Sequence, residues 1–106
     1  MFYFQFMYYI YIIYSEKSDK YYIGHSDDPE RRLVEHNTDP RPTYTSKHRP
    51  WILKASIPLS ESKDYTVRVE RYLKRLKSRR IIEEIIENKH DSEKVAQLVR
   101  VPTCRD

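Results

Sequence analysis

An α+β fold is predicted for this 106-residue chain: a small three-stranded antiparallel sheet flanked by helices, in the order β-β-α-β-α-α. Three observations predict it. A run dense in Tyr, Phe and Ile opens the chain, and a polar connection of hairpin length leads from it to a second apolar stretch ending at Gly24. Helix-start signals follow at once, with Asp28 as N-cap, Pro29 at the first helical position and Glu30 in the first turn. Later, Tyr65, Val69, Tyr72, Leu73 and Leu76 recur at the spacing of an amphipathic helix. A hairpin followed by helices that must bury one apolar stripe gives a sheet with helices against it.

The elements follow in order. Tyr8 to Tyr14 reads as the first strand, with residues 1–7 an N-terminal extension or the start of that strand. The apolar opening is 14 residues long, short of the roughly 20 a membrane span needs, and it lacks the basic region of a signal peptide. Ser15 to Lys20 is the connection, and Tyr21 to Gly24 the second, antiparallel strand. A helix runs from Pro29 to His36 or Asn37. Thr38 to Pro50 holds three prolines with Arg41, Lys47, His48 and Arg49, and reads as a long loop of the kind that carries function. Trp51 to Ile57, between Pro50 and Pro58, is a third strand. Ser60 or Ser62 caps the next helix, and Ile81, Ile82, Ile85 and Ile86 form a further helix or the bent end of that one. One domain thus spans 8–90. Asp91 or Ser92 caps a last helix through Arg100, and 91–106 form a C-terminal helix and tail.

The formal charge of +4 is mild, so only its distribution argues for a polyanionic partner. Between Arg68 and Arg80 seven cations are opposed by Glu70 alone. The single cysteine, Cys104, excludes an internal disulfide and points to a reducing, cytoplasmic location. His25, His36, His48, His90 and Cys104 show no zinc-site spacing.

Gly24 is the only glycine. Where a chain uses glycine once, a missing Cβ permits a positive φ or the close approach of a backbone or ligand. Arg32 and His36, four residues apart, share one face of the helix that follows. Each candidate also has a plain structural explanation. Tyr11 and Tyr22 are two of ten tyrosines able to pack a sheet. Arg31 and Arg32 form a pair of which one faces the sheet side, and His36 suits a helix C-terminus. Glu70 can pair with Lys74 at i+4, or it can hold a divalent metal while neighbouring cations attract phosphate.

Tyr22-Ile23-Gly24 at a strand end, Arg32 eight residues on, His36 four further and Glu70 in a later helix together resemble the GIY-YIG nuclease family. The segments YIYIIYSEKSDKYYIGHSDDPERRLVEHN, TSKHRPWILKAS and VERYLKRLK are similar to small single-domain members related to the nuclease module of the bacterial excision-repair incision subunit. The resemblance covers Tyr8 to Ile86. Tyr9 stands where the family name has its first glycine, Tyr11 keeps the tyrosine, and His25 follows the YIG glycine where some members have lysine.

The resemblance implies a metal-dependent endonuclease acting in DNA repair or processing, with Mg²⁺ or Mn²⁺ held by Glu70. Tyr11, its phenol acidified by nearby cations, would be general base, Arg32 would clamp the phosphate, and His36 and Tyr22 would position water or phosphate. Gly24 is the structural residue that lets DNA or the helix start approach the sheet, and His25 is accessory. Arg31, Lys47, Arg49, Lys74 and Lys77 are the expected nucleic-acid contacts. The partner is DNA, branched or damaged, and no element reads bases, so the expected activity is structure-selective, weakly sequence-selective or directed by a protein partner. Two other readings stand beside this one: a binding module on a nuclease-like fold, and a homo-oligomer using the Tyr-rich strand as a sheet edge and the isoleucine cluster as contact.

Overall fold

The structure, a computed structural model, describes residues 6–99. The extension over residues 1–5, the expected helix end at Arg100 and the Cys104 tail lie outside the described residues. The elements are β1 (Tyr8–Ser15), β2 (Lys20–Ser26), α1 (Pro29–Thr38), a 3₁₀ turn (Thr45–His48), β3 (Trp51–Ser60), α2 (Lys63–Leu76), α3 (Arg79–Glu87) and α4 (Ser92–Val99). The three strands are antiparallel in the order β2-β1-β3.

β1 is therefore the central strand, hydrogen-bonded on both sides. This corrects the expectation that it offers a free edge. It also explains its composition, since a strand covered on both faces needs no polar alternation. Ile10 and Ile12 point to one face, with Ile23, Ala55, Ile57, Val69, Leu73, Ile85, Val95 and Val99. Tyr11 and Ile13 point to the other, with Trp51 and the half-buried Tyr22, Leu33 and Leu53. The first face is covered by α2, α3 and α4, the second by α1 and the loop after it. Ile81, Ile82 and Ile86 pack, partly buried, on the first core around the buried Ile85. Leu76 departs from its stripe and stays 40% exposed.

The strands run further than the patterns indicate, because pairing continues where alternation has ended. β2 reaches Ser26, and β3 passes through Pro58 to Ser60. β3 pairs only with β1, and an edge strand tolerates a residue without an N–H. Two helix caps match their sequence signals. Asp28 accepts from the Arg31 N–H and Ser62 from the Tyr65 N–H, and a further cap, not expected from the sequence, is Ser78, which accepts from the Ile81 N–H. Ser78 also settles the isoleucine segment as a separate helix.

The long loop is pinned rather than free. The Asn37 side chain accepts from Trp51 N at 2.7 Å and donates to Trp51 O at 3.1 Å, tying the last turn of α1 to the start of β3. Trp51 Nε1 donates to Thr45 O at 2.8 Å. Arg49 donates from Nε to His36 O at 2.6 Å and from Nη2 to Asp39 O at 2.5 Å, satisfying carbonyls at the C-terminus of α1. Arg49 was expected to contact nucleic acid. In the fold its Nε and Nη2 hold these two carbonyls.

Candidate active site

Gly24 and Tyr11 are register partners on β2 and β1, so both face the α1 layer. The glycine has no positive φ. What it supplies is space: a Cβ there would lie 2.5 Å from Tyr11 Cζ and 2.9 Å from its Cε2. The Tyr11 ring lies across the place where a side chain would be, so the approach that the glycine permits is made by this phenol, not by DNA or the helix start. The positive-φ positions of the described chain are taken by Asp19 and Lys77.

The Tyr11 side chain is 1% exposed. Its hydroxyl lies 2.7 Å from His36 Nε2, and His36 Nδ1 lies 3.1 Å from Thr45 Oγ1. His36 is 5% exposed, placed by α1 under the loop that carries Thr45. Burial pushes the Tyr11 phenol up to about 12, and the Arg32 guanidinium beside it only partly offsets this. The expected acidified phenol is thereby corrected: removing the ring from water outweighs the neighbouring cation. Burial, with Arg32 second, pushes His36 down to about 4. Near neutral pH both groups are uncharged, and a phenol that donates to Nε2 leaves Nδ1–H to donate to Thr45 Oγ1.

Arg32 lies one helical turn before His36, and its Nη1 donates to Glu35 Oε1 at 2.7 Å. Burial acts against its charge, but Glu35 and the Tyr11 hydroxyl together hold it above the ordinary arginine value. Arg31 is the solvated member of the pair, bonded to Asp27 at 3.1 Å. Tyr22 packs against His36 with ring centroids 5.3 Å apart. A hollow of about 230 Å³ opens here, lined by Tyr22, Arg32, Glu35, His36, Tyr44 and Thr45 among others.

Glu70 arrives from the other layer. α2 buries Val69 and Leu73 against the opposite sheet face, so its next residue reaches the cluster around the outer edge of β2. There Oε1 bonds His25 Nδ1, and Oε2 accepts from Lys74 Nζ at 2.9 Å. The ammonium of Lys74 sits 4.6 Å over the Tyr22 ring, which connects Glu70 through Lys74 and Tyr22 to His36 and Tyr11. The Glu70 charge is close enough to add to the upward shift of Tyr11. Five side chains from Tyr11 to Lys74 thus form one connected group, although Glu70 does not line the hollow at Arg32.

Among the described residues no group of three or more His, Cys, Asp or Glu could hold a metal ion. Lys47 and Lys77 are exposed. Asn88 caps α3, donating from Nδ2 to Glu84 O at 2.8 Å. Glu35, Thr45 and Tyr44 were not singled out from sequence. Glu35 had a signal, three residues after Arg32 on the same helix face, whereas Thr45 and Tyr44 lie in a loop whose path no periodicity reveals.

A family model described as GIY-YIG catalytic domain matches residues 7–83. Neither the curated proteins nor the solved structures yield a match.

Proposed function

Because the chain belongs to the GIY-YIG catalytic-domain family, and so to a family of nucleases, we propose that it is a divalent-metal-dependent endonuclease hydrolysing DNA phosphodiester bonds. The observation that carries this reading is the buried Tyr11–His36–Thr45 chain beside the Arg32 guanidinium.

Hydrolysis needs a water that loses a proton, relief of charge on the phosphoryl group and a stabilised leaving oxygen. A phenol near 12 does not act as a standing phenolate. Tyr11 works as a relay: its oxygen takes a proton from the attacking water while its own proton passes to His36 Nε2, 2.7 Å away. Thr45 Oγ1 can accept from Nδ1–H on the opposite side of the ring, which suits the tautomer in which Nε2 accepts. At about 4, His36 is a weak acceptor at rest. A phosphate arriving beside Arg32 offsets part of the positive field that disfavours the imidazolium, so the acceptor gains basicity as substrate binds. Arg32 presents a planar fork to two phosphate oxygens, and Glu35 holds that fork in place. Tyr22 supports the His36 ring from the side.

The donor chemistry fits a small hard cation. Glu70 is a single carboxylate whose two oxygens are held by the side chains of His25 and Lys74, and Mg²⁺ or Mn²⁺ takes one carboxylate together with water and phosphate oxygens. Glu70 would hold the ion, and His25 would orient the carboxylate. When bound, such an ion neutralises charge that develops on the leaving oxygen. Arg31, Lys47, Lys74 and Lys77 add the phosphate-attracting field. The substrate we infer is branched or damaged DNA, selected by structure, in repair or processing in the cytoplasm; no helix among the described residues is long and apolar enough to cross a membrane.

The test is a cleavage panel of single-stranded, duplex, nicked, flapped and branched DNA with RNA controls, in Mg²⁺ or Mn²⁺, comparing wild type with Glu70→Ala and Arg32→Ala. Both variants are expected to lose activity. Equal activity in all three proteins would refute the assignment, and metal-independent binding without cleavage would establish the binding-module reading instead.

A further inference from the structure

A second hollow, of about 320 Å³, lies on the other side of Tyr22. Its floor is apolar, built from Ile23, Leu73 and Ile82, and Lys74 and Lys77 line it as well. It shares Tyr22 and Tyr44 with the hollow that holds Arg32 and His36. The two linings differ in charge. The Arg32 hollow includes Glu35 and Asp39, whereas none of the residues lining the second is acidic.

Tyr44 stands where the two meet. One side of its ring is supported by Tyr22 and His48, with centroids 6.2 and 4.9 Å away. Even so, the residue is 51% exposed. The folding needs of this loop are met by Trp51, Asn37 and Arg49, none of which requires an aromatic ring at position 44. A supported, solvent-facing ring between the Arg32 hollow and a cationic one has the design of a stacking platform.

We infer that this second hollow seats one unstacked nucleobase, stacked on Tyr44, from the nucleotide next to the phosphate held at Arg32. The inference rests on the nuclease reading above. A base offers a flat apolar face to Tyr44 and the floor, and its flanking phosphates meet Lys74 and Lys77. A base inside an intact duplex is already stacked and paired, so the site favours strands with unpaired nucleotides, as at a flap or a gap. Tyr44 is then a specificity-determining residue.

The experiment measures binding of fluorescent oligonucleotides in EDTA, where the proposed hydrolysis does not run. Single-stranded, duplex and fully abasic strands of equal length are compared for wild type, Tyr44→Phe and Tyr44→Ala. Tyr44→Ala is expected to weaken single-strand binding about 5- to 150-fold, the range for loss of one base–aromatic stack. Tyr44→Phe keeps wild-type binding, and duplex and abasic affinities stay within about twofold, as the phosphate contacts remain. Unchanged single-strand affinity in Tyr44→Ala, or an equal loss on all three ligands, overturns the inference. If Tyr44→Ala does not fold, wild type alone decides, because equal affinity for base-bearing and abasic strands also overturns it. Failure of the nuclease reading looks different: wild type shows no metal-dependent cleavage of any substrate while the Tyr44-dependent preference for single strands persists.

Discussion

Replacing Gly24 by alanine tests whether the lone glycine exists to admit the Tyr11 ring. The added Cβ would stand 2.5 Å from Cζ and 2.9 Å from Cε2, both below any real carbon–carbon contact. A surface ring would swing away, but Tyr11 is 1% exposed and bonded to His36. Overpacking of a buried site costs about 1–3 kcal/mol, and a detached Tyr11–His36 bond adds about 1 kcal/mol. The backbone entropy relieved by alanine in a strand returns roughly 0.5–1 kcal/mol. The net is a loss of about 1–3 kcal/mol. Urea unfolding followed by circular dichroism reads it as a midpoint lower by about 1 M at an unchanged slope. The deciding arm is the same substitution in a Tyr11→Leu background, where the clashing ring atoms are gone and the alanine should cost nothing. A coupling of about 1–3 kcal/mol between the two sites is expected. An equal cost in both backgrounds, or none in either, would refute the packing account. Because the phenol must move, cleavage by Gly24→Ala should fall on the order of 100-fold, the cost of roughly 1 Å of misplacement.

Further outcomes follow from the same geometry. With its folded value lowered to about 4 from an ordinary 6.5, His36 takes up a proton first in the unfolded chain as the pH falls. Its contribution to stability is therefore unchanged above pH 6.5 and lost on acidification toward 4, by about 3 kcal/mol; wild type should lose that much more than His36→Gln between pH 7 and 4 in urea titrations. Lys77 ends α2 in the left-handed region at φ 49, so Lys77→Gly should raise stability by roughly 0.5–1 kcal/mol despite glycine's entropy, read as an increase in melting temperature. Asn37→Ala removes both bonds to the Trp51 backbone and should cost about 1–3 kcal/mol, with the indole fluorescence of Trp51 reporting a loosened loop.

The parts of this molecule legible in its sequence are those set by local chemistry. Asp28 and Ser62 announce helix starts because a side-chain oxygen satisfying an orphan N–H is a short-range event. The stripe of Val69 and Leu73 announces a buried face for the same reason. Sheet order is different. The run from Tyr8 to Ser15 does not tell a central strand from an edge, and only β3 pairing on the far side of β1 from β2 decides it. Gly24 was conspicuous, yet its reason lies across the sheet in Tyr11. The charge state of Tyr11 was misread because proximity to cations is visible in a basic sequence, whereas burial, the larger effect, is a property of the assembled fold. Arg49 is a second case: its bonds to the His36 and Asp39 carbonyls are likewise a property of the assembled fold, which its charge does not announce.

The edge position of β2 explains how residues from opposite helix layers come together in one cluster. Tyr11, Arg32 and His36 belong to the α1 side, and Glu70 belongs to a helix whose core residues face the other side. Behind a central strand the two groups would be separated by the full thickness of the sheet. At the outer strand only the width of β2 intervenes, and Tyr22 spans it, with Lys74 over its ring and His36 at its edge. The arrangement also keeps unlike electrostatic tasks apart. The Tyr11–His36 pair stays uncharged in its buried pocket, while the mostly buried Glu70 and the more exposed Lys74 form a charged pair at the outer edge of β2. A site split in this way is complete only when both helix layers are docked on the sheet, so the geometry at Tyr22 depends on the whole fold rather than on the motif alone.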